Sequence, residues 1–240
     1  MALGIITGSG THALPGFDGG DPEPVATPWG VALVSSGRLA GVDVLHVSRH
    51  GVGHVRLSNH VTHRANIAAL ARAGAAGVLA VTVCGAVDPT VPLGSLICFD
   101  DLHFSANRLP DGALCTFFAE AGDPRRGHWI YEDPYSPALR GALLAAADAS
   151  GLAAVGVTAV SQTAGPEVVL AGEAELPFAL VGYATDYANG VQAEPTPVAR
   201  LLELIAASTD AFGRLFAATL PRIDEAALAP AGVVYRFHDA

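Results

Sequence analysis

Hydroxyl, guanidinium and imidazole side chains occur in this chain at places where they could bind an anion. They are Ser9 in a Gly-Ser-Gly turn, Arg49 followed by His50, Thr82 and Thr163. A guanidinium presents a fork of N–H donors that matches phosphate, and a glycine turn lets backbone N–H groups approach an anion closely. These residue types are therefore suited to holding phosphate. Taken singly, each one also fits an ordinary turn, a surface arginine or a buried threonine.

Asp186 adds a carboxyl group to this set. It follows an apolar stretch, in the sequence Ala184-Thr185-Asp186-Tyr187. The alternative interpretation is a helix N-cap, a position that aspartate fills well.

These polar positions lie at or just beyond the ends of apolar runs that predict strands. Strands are predicted over residues 2–7, 31–34, 42–48, 77–83, 95–99, 153–160 and 176–184. Helices are predicted from Ser58 or Asn59, as the cap, to Gly74 and over residues 137–149, 166–174 and 195–220, while 15–28 is expected to be loop and 101–133 irregular.

The alternation of strands and helices predicts an α/β protein with a mainly parallel sheet. With 240 residues and no linker-like segment, we expect a single domain over residues 1–240. Ligands of such sheets bind beyond the carboxyl ends of the strands. That rule alone places the polar positions in one site.

Composition excludes several other classes of protein. The net charge is −10, which argues against nucleic-acid binding. All 13 basic residues are arginine, so neither lysine Schiff-base chemistry nor a Walker-type phosphate loop is available. The three cysteines (Cys84, Cys98 and Cys115) are not closely spaced, so we expect free thiols and no metal site.

Nothing in the chain indicates a membrane or secretory segment. No apolar run approaches the roughly 20 residues that a membrane helix needs, and no basic leader precedes the first apolar stretch. We therefore expect a cytoplasmic protein that does not bind membranes.

The order of these residues resembles the trimeric purine nucleoside phosphorylase superfamily, and most closely its methylthioadenosine phosphorylase branch. The stretches that carry the resemblance are, in chain order, GIITGSG (4–10), TPWG (27–30), RHG (49–51) followed by His54, HVTHRAN (60–66), TVCG (82–85), DPYSP (133–137), PEVVLA (166–171) and ATDY (184–187). They extend over nearly the whole chain, which makes the match more specific than any single motif.

The resemblance implies reversible phosphorolysis, in which a purine nucleoside and phosphate give the free base and a pentose 1-phosphate. It implies a single-domain nucleoside phosphorylase fold, with a mixed, mostly parallel central sheet flanked by helices. It further implies a homotrimer that needs no metal or organic cofactor, only inorganic phosphate as co-substrate.

The resemblance also assigns roles to individual residues. The implied phosphate ligands are Ser9, Arg49, His50, Thr82 and Thr163. Asp186 is implied to be the catalytic residue, contacting N7 and the 6-substituent of the purine. Val83, Gln162 and Ala188 fall at nucleoside-binding positions, Gln162 where the family usually has a methionine beside the ribose. Aspartate at 186, where enzymes for 6-oxopurines carry asparagine, implies a 6-aminopurine nucleoside such as 5′-methylthioadenosine.

The chain departs from the family on the nucleoside side of the site. Ala188 stands where the adenine-specific branch usually has a second aspartate, and Thr62-His63 replaces an Asn-Tyr pair. A Gly-Pro-Arg-Phe-type segment expected before Gln162 is missing. These departures leave three functions open: a phosphorylase whose pocket is completed by a neighbouring subunit or by Phe104 and Trp129, a nucleosidase that uses water, and a non-catalytic nucleoside-binding relative. The intact Arg49-His50 pair favours the phosphorylase.

Overall fold

The computed structural model describes residues 2–9, 13–120, 122–147, 159–188 and 191–236. Its strands are β1 (Ala2–Thr7), β2 (Asp18–Gly19), β3 (Glu23–Thr27), β4 (Gly30–Leu39), β5 (Val42–Ser48), β6 (Ala75–Ala86), β7 (Leu96–Cys98), β8 (Gly127–Ile130), β9 (Ala159–Val160), β10 (Phe178–Tyr187) and β11 (Val233–Arg236). Its α-helices are α1 (His63–Arg72), α2 (Pro137–Ala147), α3 (Ala164–Glu173) and α4 (Val198–Thr219), and short 3₁₀ turns lie at Val52–His54, Ser58–His60, Leu220–Arg222 and Glu225–Ala227.

The central sheet is mixed and has the strand order β2-β4-β5-β1-β6-β10-β7, with β3 paired to β4 and β9 paired to β6. Its middle four strands, β5, β1, β6 and β10, are parallel to one another. Antiparallel pairs extend it on both sides. The predicted α/β architecture with a mixed, mostly parallel centre is confirmed.

Alternating side chains of the central strands form two cores on opposite faces of the sheet. Ile6 and Val78 pack with residues of α1 and α3 on one face. Ile5 and Leu79 pack with residues of α2 and α4 on the other. Strands covered by helices on both faces consist of nearly continuous apolar residues, which is why the runs in β6 and β10 are so long.

Two predictions about local structure are wrong. Residues 15–28, expected to be loop, contain β2 and β3, and Pro24 lies within β3. A proline fits there because β3 is an edge strand that pairs only with β4. The predicted cap of the first helix at Ser58 or Asn59 is also wrong: these residues form a separate 3₁₀ turn, and Thr62 is the N-cap of α1.

In the segment expected to be irregular, 101–133, the described residues include one strand. This is β8, which pairs antiparallel with β11 near the end of the described chain in a separate two-stranded sheet. Trp129 of β8 donates its indole N–H to the carbonyl of Ala231 and packs on Gly172 of α3. The small sheet is thereby attached to α3, the helix that begins directly after Thr163.

A buried histidine in the central sheet makes the free energy of unfolding depend on pH. His46 in β5 lies 2.8 Å from the Thr7 hydroxyl through its Nε2 atom, and burial lowers its pKa to about 4. The unfolded chain, with a pKa near 6.5, therefore takes up this proton first as the pH falls. We expect the free energy of unfolding to lose about 3 kcal/mol from this group between pH 6.5 and 4.

Urea titrations of wild type and His46→Gln at several pH values measure this contribution. The variant is expected to show a shallower loss of stability over that range, because it has no imidazole to protonate. Identical pH dependence in both proteins would contradict the assignment.

Candidate active site

A cavity of about 610 Å³ opens at the carboxyl ends of the parallel strands β1, β5, β6 and β10. All nine site positions predicted from the sequence line it: Ser9, Arg49, His50, Thr82, Val83, Gln162, Thr163, Asp186 and Ala188. They come from segments up to 179 residues apart in the chain, between Ser9 and Ala188. The strand-end rule predicted that six of them lie together, namely Ser9, Arg49, His50, Thr82, Thr163 and Asp186, and the resemblance added the other three.

Strand register explains how the two ends of the site come together. Thr7 of β1 pairs with Ser48 of β5, so Ser9 and Arg49 follow neighbouring strand ends. On the other side, Ala184 of β10 pairs with Cys84, but the next pair is Asp186 with Gly85. The irregularity at this point changes which side chains face the cavity, as β-bulges beside functional sites commonly do.

Arg49 is held rigidly, with only 1% of its surface exposed. Its Nη2 donates to Glu167 Oε2 at 2.6 Å, its Nε donates to Oε1 of the same carboxylate, and Nη1 donates to the Val81 carbonyl at 3.0 Å. Gly8 leaves space for this arrangement, because a Cβ there would overlap Nη1. Glu167, for which the sequence predicted no role, is thus the partner of the Arg49 guanidinium in the cavity.

His50 is a neutral imidazole near pH 7. Burial lowers its pKa to about 4, and the Arg49 charge acts in the same direction. Its Nδ1 lies 2.8 Å from the Arg56 carbonyl, which can only accept, so Nδ1 carries the hydrogen. His54 stacks on the ring at a centroid distance of 4.3 Å. The free electron pair of the neutral ring is therefore on Nε2.

A chain of hydroxyl groups joins two of the predicted phosphate ligands. The Thr163 backbone N–H donates to Ser161 Oγ at 3.4 Å, and Ser161 Oγ lies 2.9 Å from Thr82 Oγ1. Thr82 in turn donates to the Val83 carbonyl at 2.9 Å. Ser161 lines the cavity but was missed from the sequence, where an isolated serine before Gln162 gives no signal.

At the opposite side of the cavity, Asp186 is half-buried and accepts a hydrogen bond from Thr185, whose Oγ1 lies 3.0 Å from Oδ1. Cys84 also lines the cavity. Burial, together with the nearby Asp186 charge, raises the pKa of the Cys84 thiol to about 12. The thiol is thus protonated near pH 7 and is not a nucleophile.

Leu201 and Ile205 of α4 provide an apolar wall that the sequence analysis did not identify. Phe104 and Trp129, suggested as replacements for the missing base wall, do not line this cavity; they pack on Gly165 and Gly172 of α3. The missing segment would stand between Val160 and Gln162, where β9 is followed by Ser161 alone, and these three residues line the cavity directly. The predicted strand over 153–160 is described only at β9.

Within the described ranges, no group of three or more His, Cys, Asp or Glu side chains is placed to hold a metal ion. None of the helices there combines the length and the apolar character needed to cross a membrane.

Comparison with known proteins gives consistent results. The sequence profile of the Phosphorylase superfamily matches residues 2–155. The S-methyl-5'-thioadenosine phosphorylase of Bradyrhizobium diazoefficiens is 31% identical, over 77% of this chain and 70% of that protein. A protein of Pseudomonas syringae pv. tomato named probable S-methyl-5'-thioinosine phosphorylase is 31% identical, over 91% of this chain and 96% of its own length. The structure of methylthioadenosine phosphorylase from Schistosoma mansoni in complex with adenine superposes with a TM-score of 0.79 at 22% identity, covering 91% of this chain and 90% of that one.

Proposed function

Since the chain belongs to the phosphorylase superfamily, we propose that it cleaves the N-glycosidic bond of a purine nucleoside with inorganic phosphate. The products are the free base and a pentose 1-phosphate. One observation carries this proposal: a buried guanidinium, a hydroxyl chain and a carboxyl from distant parts of the sequence line a single cavity of about 610 Å³. A nucleoside and a phosphate ion need such a cavity, with donors for the anion and a proton source for the base.

The phosphate subsite is proposed at Arg49, His50, Thr82, Thr163 and Ser9. Arg49 supplies the fixed positive charge, and the hydroxyl groups supply additional hydrogen bonds. The neutral His50 ring, with its acceptor on Nε2, suits the P–OH of hydrogen phosphate. Bound in this way, the ion keeps its negative oxygens for the arginine and for the sugar.

The reaction exchanges one bond at the anomeric carbon for another. A phosphate oxygen forms a bond to C1′ as the C1′–N9 bond breaks, and the electron pair of that bond passes to the purine. Positive charge develops on the sugar, where the phosphate stabilises it. Negative charge develops on the purine, where the protonated form of Asp186 gives its proton to N7 and becomes a carboxylate. Thr185 orients this carboxyl through its 3.0 Å hydrogen bond.

The proposed substrate is a 6-aminopurine nucleoside, with 5′-methylthioadenosine the leading candidate. Asp186 can accept a hydrogen bond from an exocyclic amine. The apolar Leu201 and Ile205 suit a methylthio group better than a hydroxyl group. The names of the relatives include both thioadenosine and thioinosine phosphorylases. The preference for an amino or an oxo group at position 6 of the purine therefore has to be measured on this protein. Val83, Gln162 and Ala188 are the proposed further nucleoside contacts.

We further propose a cytoplasmic homotrimer that uses phosphate as co-substrate and no metal or organic cofactor. Exposed apolar side chains support an assembly of subunits: Val198 is 70% exposed and Leu202 is 60% exposed, one helical turn apart on α4. The same helix carries Leu201, which lines the cavity. A neighbouring subunit on this face would lie close to the nucleoside side of the site.

The decisive experiment measures free adenine released from methylthioadenosine and from adenosine, with and without phosphate. We expect release that depends on phosphate, with a pentose 1-phosphate as co-product and methylthioadenosine as the better substrate. Equal release without phosphate would instead identify a nucleosidase. No release from either nucleoside, or from inosine, would identify a non-catalytic binding protein.

A further inference from the structure

The guanidinium of Arg49 is held in one orientation by a buried carboxylate. Glu167, in the first turn of α3, has no exposed surface, and both of its oxygens accept hydrogen bonds from Arg49. The bonds use Nε and Nη2, which form one edge of the planar group. The Val81 carbonyl accepts from Nη1. Three bonds to fixed partners prevent the guanidinium from turning about its stem.

This arrangement determines which donors of Arg49 remain for a ligand. A guanidinium has five N–H groups in a rigid fork. Of these, the hydrogen bonds to Glu167 and Val81 occupy one each on Nε, Nη1 and Nη2. One N–H remains on each of Nη1 and Nη2. Two such donors can bind two oxygens of a tetrahedral anion.

Charge alone does not account for Glu167. A carboxylate next to Arg49 reduces the attraction that Arg49 exerts on phosphate, so it weakens the electrostatic part of binding. Burial would raise the pKa of Glu167, but the Arg49 charge and the nearby His63 bring it below its usual value, so the group is ionised near pH 7. The ion pair fixes the orientation of the guanidinium. Without a partner, burial of the arginine would cost free energy and the group could reorient.

His63 lies behind the same carboxylate. It is the first residue of α1, it is 1% exposed, and its Nδ1 lies 3.7 Å from Glu167 Oε1. Among the described residues, neither of its ring nitrogens has a hydrogen-bond partner. The ring therefore fills the space on one side of Oε1, and it can donate to that oxygen after a small approach.

We infer that Glu167, supported by His63, is a positioning residue of the phosphate subsite: it presents the Nη1/Nη2 end of Arg49 to phosphate. This inference rests on the proposed phosphorolysis. It assigns Glu167 no contact with either substrate. Its effect is therefore specific to phosphate, since the nucleoside side of the cavity is formed by other elements.

Glu167→Gln in the full-length protein tests the inference. The amide keeps the size of the side chain but cannot accept two charged hydrogen bonds, so Arg49 is no longer fixed. We expect the KM for phosphate to rise by about 10- to 100-fold, the loss in binding that follows when one hydrogen bond to a charged group is no longer made. At saturating phosphate, we expect the KM for methylthioadenosine and kcat to change by less than about twofold.

Glu173→Gln is the matched control, because Glu173 is a second buried carboxylate on α3. Its partners are the Thr116 hydroxyl and the Phe117 backbone N–H, neither of which lines the cavity. This variant is expected to lose stability but to keep the wild-type KM for phosphate. Equal increases in both variants, or no increase in Glu167→Gln, would overturn the inference.

Two measurements keep the test decisive if turnover or folding fails. Glu167→Asp retains the charge on a shorter stem and is also expected to raise the KM for phosphate; a wild-type value would overturn the inference. The shift of the melting temperature with inorganic phosphate measures binding without turnover. A wild type that shifts but does not turn over would refute the proposed phosphorolysis, and loss of that shift in Glu167→Gln would still support the positioning role.

Discussion

Arg49→Ala is expected to raise the KM for phosphate by about 10²- to 10³-fold, the loss that follows removal of one preorganised electrostatic group from an active site. The chain has no lysine that could replace the charge. Hydroxyl groups and the neutral His50 ring would remain as donors and acceptors, but without a positive charge. Initial rates of adenine release over a range of phosphate concentrations measure the effect.

This variant also needs a control for stability, because it leaves Glu167 buried without a counter-charge. Removing one partner of a buried ion pair typically costs about 3–5 kcal/mol. Adding Glu167→Gln to Arg49→Ala removes the unpaired charge, so the double variant is expected to be more stable than the single one. It should be no better at binding phosphate. An unchanged KM for phosphate in a folded Arg49→Ala protein would remove Arg49 from the phosphate subsite.

Asp186→Asn is expected to lower kcat/KM for methylthioadenosine by about 10²- to 10⁴-fold, because an amide cannot give its proton to N7. The same change should favour 6-oxopurines in relative terms, since an amide can donate to a 6-oxo group. Rates with methylthioadenosine and methylthioinosine, measured in parallel, separate the loss of rate from the change of preference.

Asp210→Asn is the matched control for this prediction. Asp210 is an exposed aspartate on α4 that does not line the cavity. Its replacement should leave both rates at their wild-type values. Wild-type kinetics in Asp186→Asn would show that Asp186 is not the proton donor, and the assignment of the base side of the cavity would have to change.

Local patterns predicted the central strands because burial on both faces leaves a clear signal. The strands ending at Thr7 and Ser48 have the bounds that the sequence predicts. Patterns failed in two ways. The hairpin of β3 and β4 is local, but the glycine- and proline-rich sequence before it, with Pro24 inside β3, is typical of a loop. The pairing of β11 with β8 joins residues about 100 positions apart, and a window of local sequence contains no information about such pairs.

The same limit applies to the site. Polar residues after apolar strands were found because the chain direction of a parallel sheet brings strand ends together. The β10 irregularity beside Asp186 and the partner of Arg49 depend on packing between elements. Glu167 lies in a largely apolar helix, where burial is expected, and buried carboxylates are almost always paired. Its position could therefore have suggested a buried cationic partner. The single-domain organisation, the roles of the nine site residues and the homotrimer stay predictions.

The four strands that end at the cavity are also the middle of the sheet. Segments with many buried contacts exchange their amide hydrogens mainly through global opening, whereas loops and edges open locally. We therefore expect the floor of the cavity to belong to the slowest-exchanging part of the molecule. A ligand bound across β1, β5, β6 and β10 would connect elements that separate only when the whole sheet opens. Occupancy of the cavity is then coupled to the lifetime of the folded protein, so supply of substrate would help to set how long each molecule survives proteolysis.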